Sequence, residues 1–285
     1  MSAAVFDRLA ASYDAMWTDA LIGRHQRDAV WRRVDQLFQA GDRVLDLGCG
    51  TGHDALHLTS LGIDVHAFDA SAEMVRIARA KGVNARRLPL EELRTLCGTF
   101  DGAISNFGAL NCVTGYEATA RVLGRLIRPG GKLAICLAGP LCAWEIGHFL
   151  IRAQTAKAFR RLSAADYKGI PVTYPSLARL THAFSGDFAL INWYGIGLCV
   201  PLCTCGDCAK APSHVWHSWT DASRTGPFSG ASRITGCSFS NAYESRRTSL
   251  PAVPERIPAD SPYRGPRVRR PCLLPRVAIH RSFGP

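Results

Sequence analysis

Long hydrophobic runs are scarce in this 285-residue chain. The longest charge-free stretch, Phe188 to Gly206, approaches the roughly 20 apolar residues that a membrane helix needs. It is interrupted by Asn192, Pro201 and glycines, so it reads as a buried strand leading into a loop, and no membrane span is expected. The start, Met1-Ser-Ala-Ala-Val-Phe-Asp-Arg8, lacks the basic and then apolar segments of a secretory leader, which makes a cytoplasmic protein the expectation. No internal repeat is visible. The chain has 11 cysteines, but Cys49, Cys97, Cys112, Cys136 and Cys142 are scattered through apolar segments. There a thiol behaves as a small hydrophobe, so no disulfide framework is expected.

Composition excludes further classes. With 47% hydrophobic and 20% charged residues, the bulk is a soluble globular protein rather than a disordered or fibrous chain. The formal net charge of +11 would ordinarily suggest a polyanionic partner. Its distribution argues otherwise: residues 1–208 hold 22 Lys plus Arg against 19 Asp plus Glu, while residues 209–285 hold 12 against 4. The body is nearly neutral, and nucleic acid is not expected as its partner.

Periodicity then gives the architecture. Val30, Val34, Leu37 and Phe38 recur at helical spacing and predict a helix ending near Ala40-Gly41. Arg43 to Leu47 is a short apolar strand, followed by Gly48-Cys-Gly-Thr-Gly52 and a helix over 54–61. Ile63 to Phe68 is a second strand, and Ser71 caps the helix carrying Met74, Val75 and Ile77. Strands follow at Val83–Leu88, Phe100–Ser105 and Lys132–Leu137, with a helix over Tyr116–Arg128 stopped by Pro129-Gly-Gly131. Leu141 to Phe159 reads as a helix, and Phe188 to Tyr194 as a sixth strand. Strands alternating with helices of this length predict an α/β fold with a doubly wound, mainly parallel sheet.

Ligands of such a sheet bind beyond the carboxyl ends of its strands, which puts the Gly48–Gly52 loop at the site. Glycines at alternate positions let backbone approach a ligand that a Cβ would repel. The loop is neither a dinucleotide fingerprint, since His53 stands where the third glycine belongs, nor a P-loop, since no Gly-Lys-Ser/Thr follows.

Val44-Leu-Asp-Leu-Gly-Cys-Gly-Thr-Gly52 resembles the first motif of the class I S-adenosylmethionine-dependent methyltransferases. Phe68-Asp69, Asp101 to Asn106 and Leu126 to Lys132 are similar to three further motifs of that family, in register. The resemblance covers roughly Val5 to Val200 and is closest to the small-molecule, quinone-biosynthesis-like type. It implies S-adenosyl-L-methionine as cofactor, with no metal. Asp46 would face the cationic methionine end, and Gly48, Cys49, Gly50 and Gly52 would form the loop. Asp69, with Ala70 beside it, would take the ribose hydroxyls in a charge-assisted pair, while Leu90 and Asn106 complete the cofactor-binding set. Leu90 and Glu91 stand where the family places an adenine-contacting pair, although a plain turn with solvated glutamates fits the same residues.

For the acceptor, Tyr13 in Ala11-Ser-Tyr-Asp14 matches a tyrosine–aspartate pair found before the first motif in such enzymes, or is an amphipathic core tyrosine. Asn106, Phe107 and Asn111 at the end of the fourth strand would face the cleft in this architecture, where Asn111 suits either an acceptor contact or a loop-ordering role. Glu145 and His148, beside Trp144 on the helix after the fifth strand, are candidate bases, against the alternative of a satisfied core histidine. No Asn-Pro-Pro-Tyr-like segment follows the fourth strand, and the resemblance implies a methyl transferase domain over 1–200 acting on a small-molecule acceptor.

Around Pro201 the composition changes. Residues 209–285 contain 11 Arg, 11 Ser and 10 of the 16 prolines, which predicts a tail over 201–285 with little structure. Cys199, Cys203, Cys205 and Cys208, followed by His214 and His217, have metal-like density but no standard ligand spacing. The Arg264–Arg276 stretch offers an RNA- or membrane-binding alternative. Out-of-frame translation near Pro201–Cys203 explains the composition as well. It predicts a sheet ending at its sixth strand with an unpaired edge, and it leaves an inactive, binding-only protein as the alternative to an enzyme.

Overall fold

The computed structural model describes residues 2–162, 165–167, 170–196 and 238–245. All of these lie in the compact unit Met1–Thr248. The cysteine and histidine cluster from Cys199 to His217, the Pro201–Cys203 junction and the Arg264–Arg276 stretch fall outside them.

Helices α1 (Ser2–Tyr13) and α2 (Leu21–Val34), joined by a π-helical turn at Asp14–Thr18, precede the sheet. There follow β1 (Arg43–Leu47), α3 (His53–Ser60), β2 (Asp64–Asp69), α4 (Ala72–Ala80), β3 (Ala85–Arg87), β4 (Phe100–Ser105), α5 (Tyr116–Leu126) and β5 (Ile127–Ala138). Next come α6 (Ala143–Ile151), α7 (Thr155–Ala158), a two-stranded ribbon of β6 (Ala165–Tyr167) and β7 (Ile170–Val172), α8 (Leu177–Phe184), β8 (Phe188–Gly195) and β9 (Ser238–Ser245). Among the described residues, seven strands form one sheet in the order β3-β2-β1-β4-β5-β9-β8. The first five are parallel, with Val44 opposite Val65 on one side and Gly102 on the other. The α/β fold with a doubly wound, mainly parallel sheet is as the periodicity implies.

Alternation along each strand sends side chains to opposite faces. Leu45 and Leu47 of β1 pack with Leu123, Leu126, Leu180 and Phe184 of α5 and α8. Val44, on the opposite face, packs with Val30 and Val34 of α2, Leu58 of α3 and Val75 of α4. Helices on both faces bury both sides of β1, which explains its unbroken apolar sequence. The Ser71 hydroxyl accepts from the Met74 N–H and caps α4 as expected. Helix α5 stops at Leu126, because Pro129 disfavours helical backbone just before it, and Ile127 is already extended (φ −92°, ψ 130°). The stretch expected as one helix over 141–159 is two, α6 and α7, broken at Ala153 (φ +55°).

The far edge departs from expectation. The sheet does not stop at its sixth strand: β9 lies antiparallel between β5 and β8, pairing Lys132–Ala138 with Glu244–Ser238 and Phe188–Gly195 with Ser245–Phe239. An edge left unpaired by the chain's own frame is therefore not what the structure has. The segment was missed because Ser, Asn and Glu have low strand propensity and the flanks are rich in Pro and Arg. The faint signal was Phe239 and Tyr243 at even spacing. Cys142 is disulfide-bonded rather than a free thiol, whereas Cys49, Cys97, Cys112 and Cys136 are free. Among the described residues no helix is long and apolar enough to cross a membrane, and no group of His, Cys, Asp and Glu could hold a metal ion.

Candidate cofactor and acceptor site

The carboxyl ends of β1, β2 and β4 open into a cleft. Its walls include Tyr13 from the end of α1, Gly48 and Gly50 after β1, Asp69 and Ala70 after β2, Leu90 and Glu91 after β3, and Asn106 after β4. These are the sequence-predicted residues that the fold brings to one place. The backbone explains the glycines: Gly48, Gly50 and Gly52 all have positive φ (77°, 52° and 85°), and a Cβ on Gly48 would come within 2.2 Å of the Ala109 Cβ. The loop is tied to the end of β2 by the Gly48 and Cys49 N–H groups, which donate to the Phe68 carbonyl.

Asp69 grips its surroundings with both oxygens. One accepts from the Gly50 N–H at 2.9 Å and the other from the Ser71 N–H at 2.8 Å. Burial raises its pKa against these hydrogen bonds. Asp46 sits one layer deeper, 1% exposed. Its Oδ2 has no hydrogen-bond partner, and burial, with the negative charges of Asp54 and Asp69, pushes its pKa well up against the pull of Arg27. Arg27 is already engaged by Asp54 at 2.7 Å, which also accepts from Trp31 Nε1 and Asn106 Nδ2. Asp46 and Asp54 thus share one guanidinium, and the site is one cation short.

Helix α1 closes the cleft from above. Phe6 and Tyr13, two turns apart, both line it. Asp7 accepts from the Ser71 hydroxyl at 2.6 Å and the Glu73 N–H at 3.1 Å. Asp14 accepts from Lys81 Nζ at 2.6 Å and the Thr51 hydroxyl at 2.5 Å. Burial pushes the Asp14 carboxyl up, but the hydrogen bonds and charge of Lys81 and Thr51's hydroxyl outweigh it and hold it at about 2. The Tyr13 hydroxyl is pushed up to about 12 by burial, with Asp69, Asp54 and Asp14 adding to it against Arg27.

Other predicted residues stand elsewhere. Cys49 and Gly52 shape the loop from behind without lining the cleft. Neither Glu145 nor His148 lines it. Glu145 is 6% exposed and forks onto the guanidinium of Arg161 (2.9 Å to each oxygen), with Arg160 adding a bond at 2.8 Å. His148 Nδ1 accepts from Arg152. Asn111 orders loops: its Nδ2 donates to the carbonyls of Ala138 and Thr173, and its Oδ1 accepts from the Ala138 N–H. Phe107, expected to face the cleft from the end of the fourth strand, lines it, whereas sequence reasoning missed Phe6, Met74, Leu88 and the wall from Gly108 to Val113. The seven-residue spacing of Phe6 and Tyr13 on one helix was a readable signal. The left-handed backbone of Phe107 (φ +50°) and the place of its ring 4.8 Å from Arg27 were not readable.

A family model described as "Methyltransferase domain" matches residues 44–131. The demethylmenaquinone methyltransferase of Mycolicibacterium vanbaalenii is 32% identical over 168 residues, covering 55% of this chain and 70% of that protein. Its counterpart from Mycolicibacterium gilvum is 33% identical over 142 residues, covering 47% of this chain and 58% of that protein. The chain thus spans somewhat more than half the length of these relatives. Solved structures share the fold. A possible histamine N-methyltransferase from Thermotoga maritima aligns with TM-score 0.55 at 15% identity, over 87% of this chain and all of that one. An S-adenosylmethionine-dependent methyltransferase from Mesorhizobium loti aligns with TM-score 0.52 at 20% identity, over 76% and 97%.

The chain belongs to the class I S-adenosylmethionine-dependent methyltransferases, and S-adenosylmethionine is the cofactor of that class. The residues present fit it: an unpartnered buried carboxylate oxygen for a cation, glycines with no room for a Cβ, and no lysine or arginine among the cleft-lining residues to call for a phosphate.

Proposed function

We propose that this chain transfers a methyl group from S-adenosylmethionine to a small, uncharged, largely apolar acceptor of the quinol type. The missing cation at Asp46 carries the reading. A buried carboxylate with an open oxygen is costly unless a positive group meets it, and the cofactor's methionine end supplies one. When bound, the cofactor provides an electrophilic methyl on a sulfonium whose charge is lost as the methyl leaves. The chain's own share is then orientation and exclusion of water. Asp69 takes the ribose hydroxyls, Ala70 and Leu90 flank the adenosine, and Asn106, fixed by Asp54, borders the methionine end. Phe6, Phe107 and Val113 give the acceptor side an apolar wall.

Tyr13 supports an acceptor that needs little base assistance. A phenol held near 12 stays protonated at neutral pH, so it donates a hydrogen bond to an acceptor oxygen rather than taking its proton. Glu145 is occupied by two arginines and His148 stands outside the cleft, so neither is placed to act as base. The name of the mycolicibacterial relatives, demethylmenaquinone methyltransferase, favours a quinol over an amine. Calorimetry of the full chain with S-adenosylmethionine tests the pocket, and turnover on quinols, phenols and amines tests the acceptor. Binding without turnover on any of them would favour a binding-only protein, and no binding would remove the reading at its root.

A further inference from the structure

The segment from Ile146 to Leu162 plays no part in the cleft, yet its surface is unlike the rest of the described protein. Leu150 (43%), Ile151 (86%), Phe159 (45%) and Leu162 (61%) are exposed large apolar side chains within thirteen residues. Interleaved with them are Arg152, Lys157 and Arg160, all exposed, and no acidic residue occurs between Ile146 and Leu162. Ala153, left-handed at φ +55°, turns the chain between α6 and α7. The Gln154 N–H donates to the Phe149 carbonyl and the Ala153 N–H to that of Leu150, which closes the end of α6. Lys157 and Arg160 both come over the Phe149 ring, at 5.9 and 5.7 Å. The base of this hairpin is fixed by the buried Glu145–Arg161 fork, so the apolar tips are presented by a rigid element.

We propose that the α6–α7 hairpin is a docking surface for an anionic lipid membrane. Exposed apolar side chains with basic groups around them, and no acid, are the pattern of elements that lie in the headgroup region. There the apolar tips enter the acyl boundary while the basic heads meet lipid phosphates. The centre of a protein–protein interface is by contrast depleted of charge, and here basic heads stand between the apolar tips. Glu145 acquires a role that its place outside the cleft leaves open: it pairs with the buried Arg161 and with Arg160, which leaves Arg152 and Lys157 as the basic heads presented beside the apolar tips. The docking is independent of methyl transfer.

The test is co-sedimentation of the full chain with vesicles of phosphatidylcholine alone and with about a third phosphatidylglycerol, at low and high salt. The expected result is binding to the anionic vesicles that weakens with salt. It should fall about tenfold in an Ile151→Asp, Leu162→Asp variant and comparably in an Arg152→Glu, Lys157→Glu variant, with circular dichroism unchanged in both. The second variant keeps the test informative if the first folds poorly, because both its sites are fully on the surface. Absence of vesicle binding by the parent chain overturns the proposal. So does binding that both variants retain, which would assign it to the Arg-rich residues beyond 245. A concentration-dependent dimer abolished by Ile151→Asp, seen in light scattering, would make the surface a self-association site and overturn it equally.

Discussion

On the β1 side of the sheet all strands run parallel. Three of them end at the cleft in groups with a polar duty: the glycine loop after β1 with Asp46 beneath it, Asp69 closing β2, and Asn106 after β4. At the opposite edge β9 runs antiparallel between β5 and β8. The first region spends stability on function: a buried carboxylate lacks a partner, and three glycines and Phe107 adopt left-handed backbone. The second completes the sheet, since without β9 both β5 and β8 would show unpaired backbone. Damage at the two places should therefore separate binding from stability.

The largest effect is expected at the edge. Ala242 of β9 is paired with Ala134 of β5 and Asn192 of β8. Ala242→Pro removes a ladder donor in the middle of a sheet, and should cost about 3 kcal/mol or more. Chemical denaturation of the full chain should show that loss, while the fraction still folded binds S-adenosylmethionine with unchanged affinity. An unaltered midpoint would mean that β9 does not hold the edge.

Gly48→Val works the other way. The new side chain must occupy left-handed backbone and overlap Ala109, at a strain cost of about 1–3 kcal/mol. It also fills the cleft floor, so cofactor binding should disappear in calorimetry while a stable folded protein persists. Retained binding would remove the loop from the site.

Asp46→Asn sharpens the comparison, because its two effects should have opposite signs. The folded-state pKa of Asp46 lies above the ordinary 3.8, so between 3.8 and that raised value the folded protein holds a proton that the unfolded chain has released. Stability therefore falls as pH rises through this window. The amide abolishes that loss, and the variant should melt higher than the parent at pH 7. Its affinity for the cationic cofactor should drop about tenfold or more, about 1.4 kcal/mol. A variant that is less stable at pH 7 would contradict the picture of a site one cation short.

The difference between the regions also explains what the sequence made legible. The parallel half announces itself because its strands are short, apolar on both faces and punctuated by glycine and aspartate. Residues such as Asp46 and Asp69 need only their place at a strand end to be found. Phe107 was legible by its place after the fourth strand, but the wall from Gly108 to Val113 was not, since it depends on a left-handed turn at that phenylalanine that no propensity favours. Glu145 had the right residue type in a plausible place, but pairing with Arg161, sixteen residues on, is a tertiary fact. Strand β9 was hidden for a similar reason: a strand paired on both sides can be made from weak strand formers when neighbours supply every backbone partner.

The smallest effect concerns how the two carboxylates of the N-terminal segment fasten α1 over the cleft. Asp14 is held at about 2, below the ordinary 3.8, so its contribution is fully present above pH 3.8 and is lost as pH falls from there toward about 2. The carboxylate is 25% exposed, and solvent screening reduces its worth to about 1 kcal/mol. Asp14→Asn should therefore lower stability by that amount at pH 7 and by clearly less at pH 2.5, where much of the parent's pH-dependent contribution is already lost. Because the amide keeps only one accepting oxygen and no charge, Lys81 and Thr51 can no longer both be held, so α1 should lift more often and the cofactor should leave several times faster in stopped-flow displacement. An off-rate equal to the parent's, with the stability loss intact, would show that Asp14 braces the glycine loop without governing entry to the cleft.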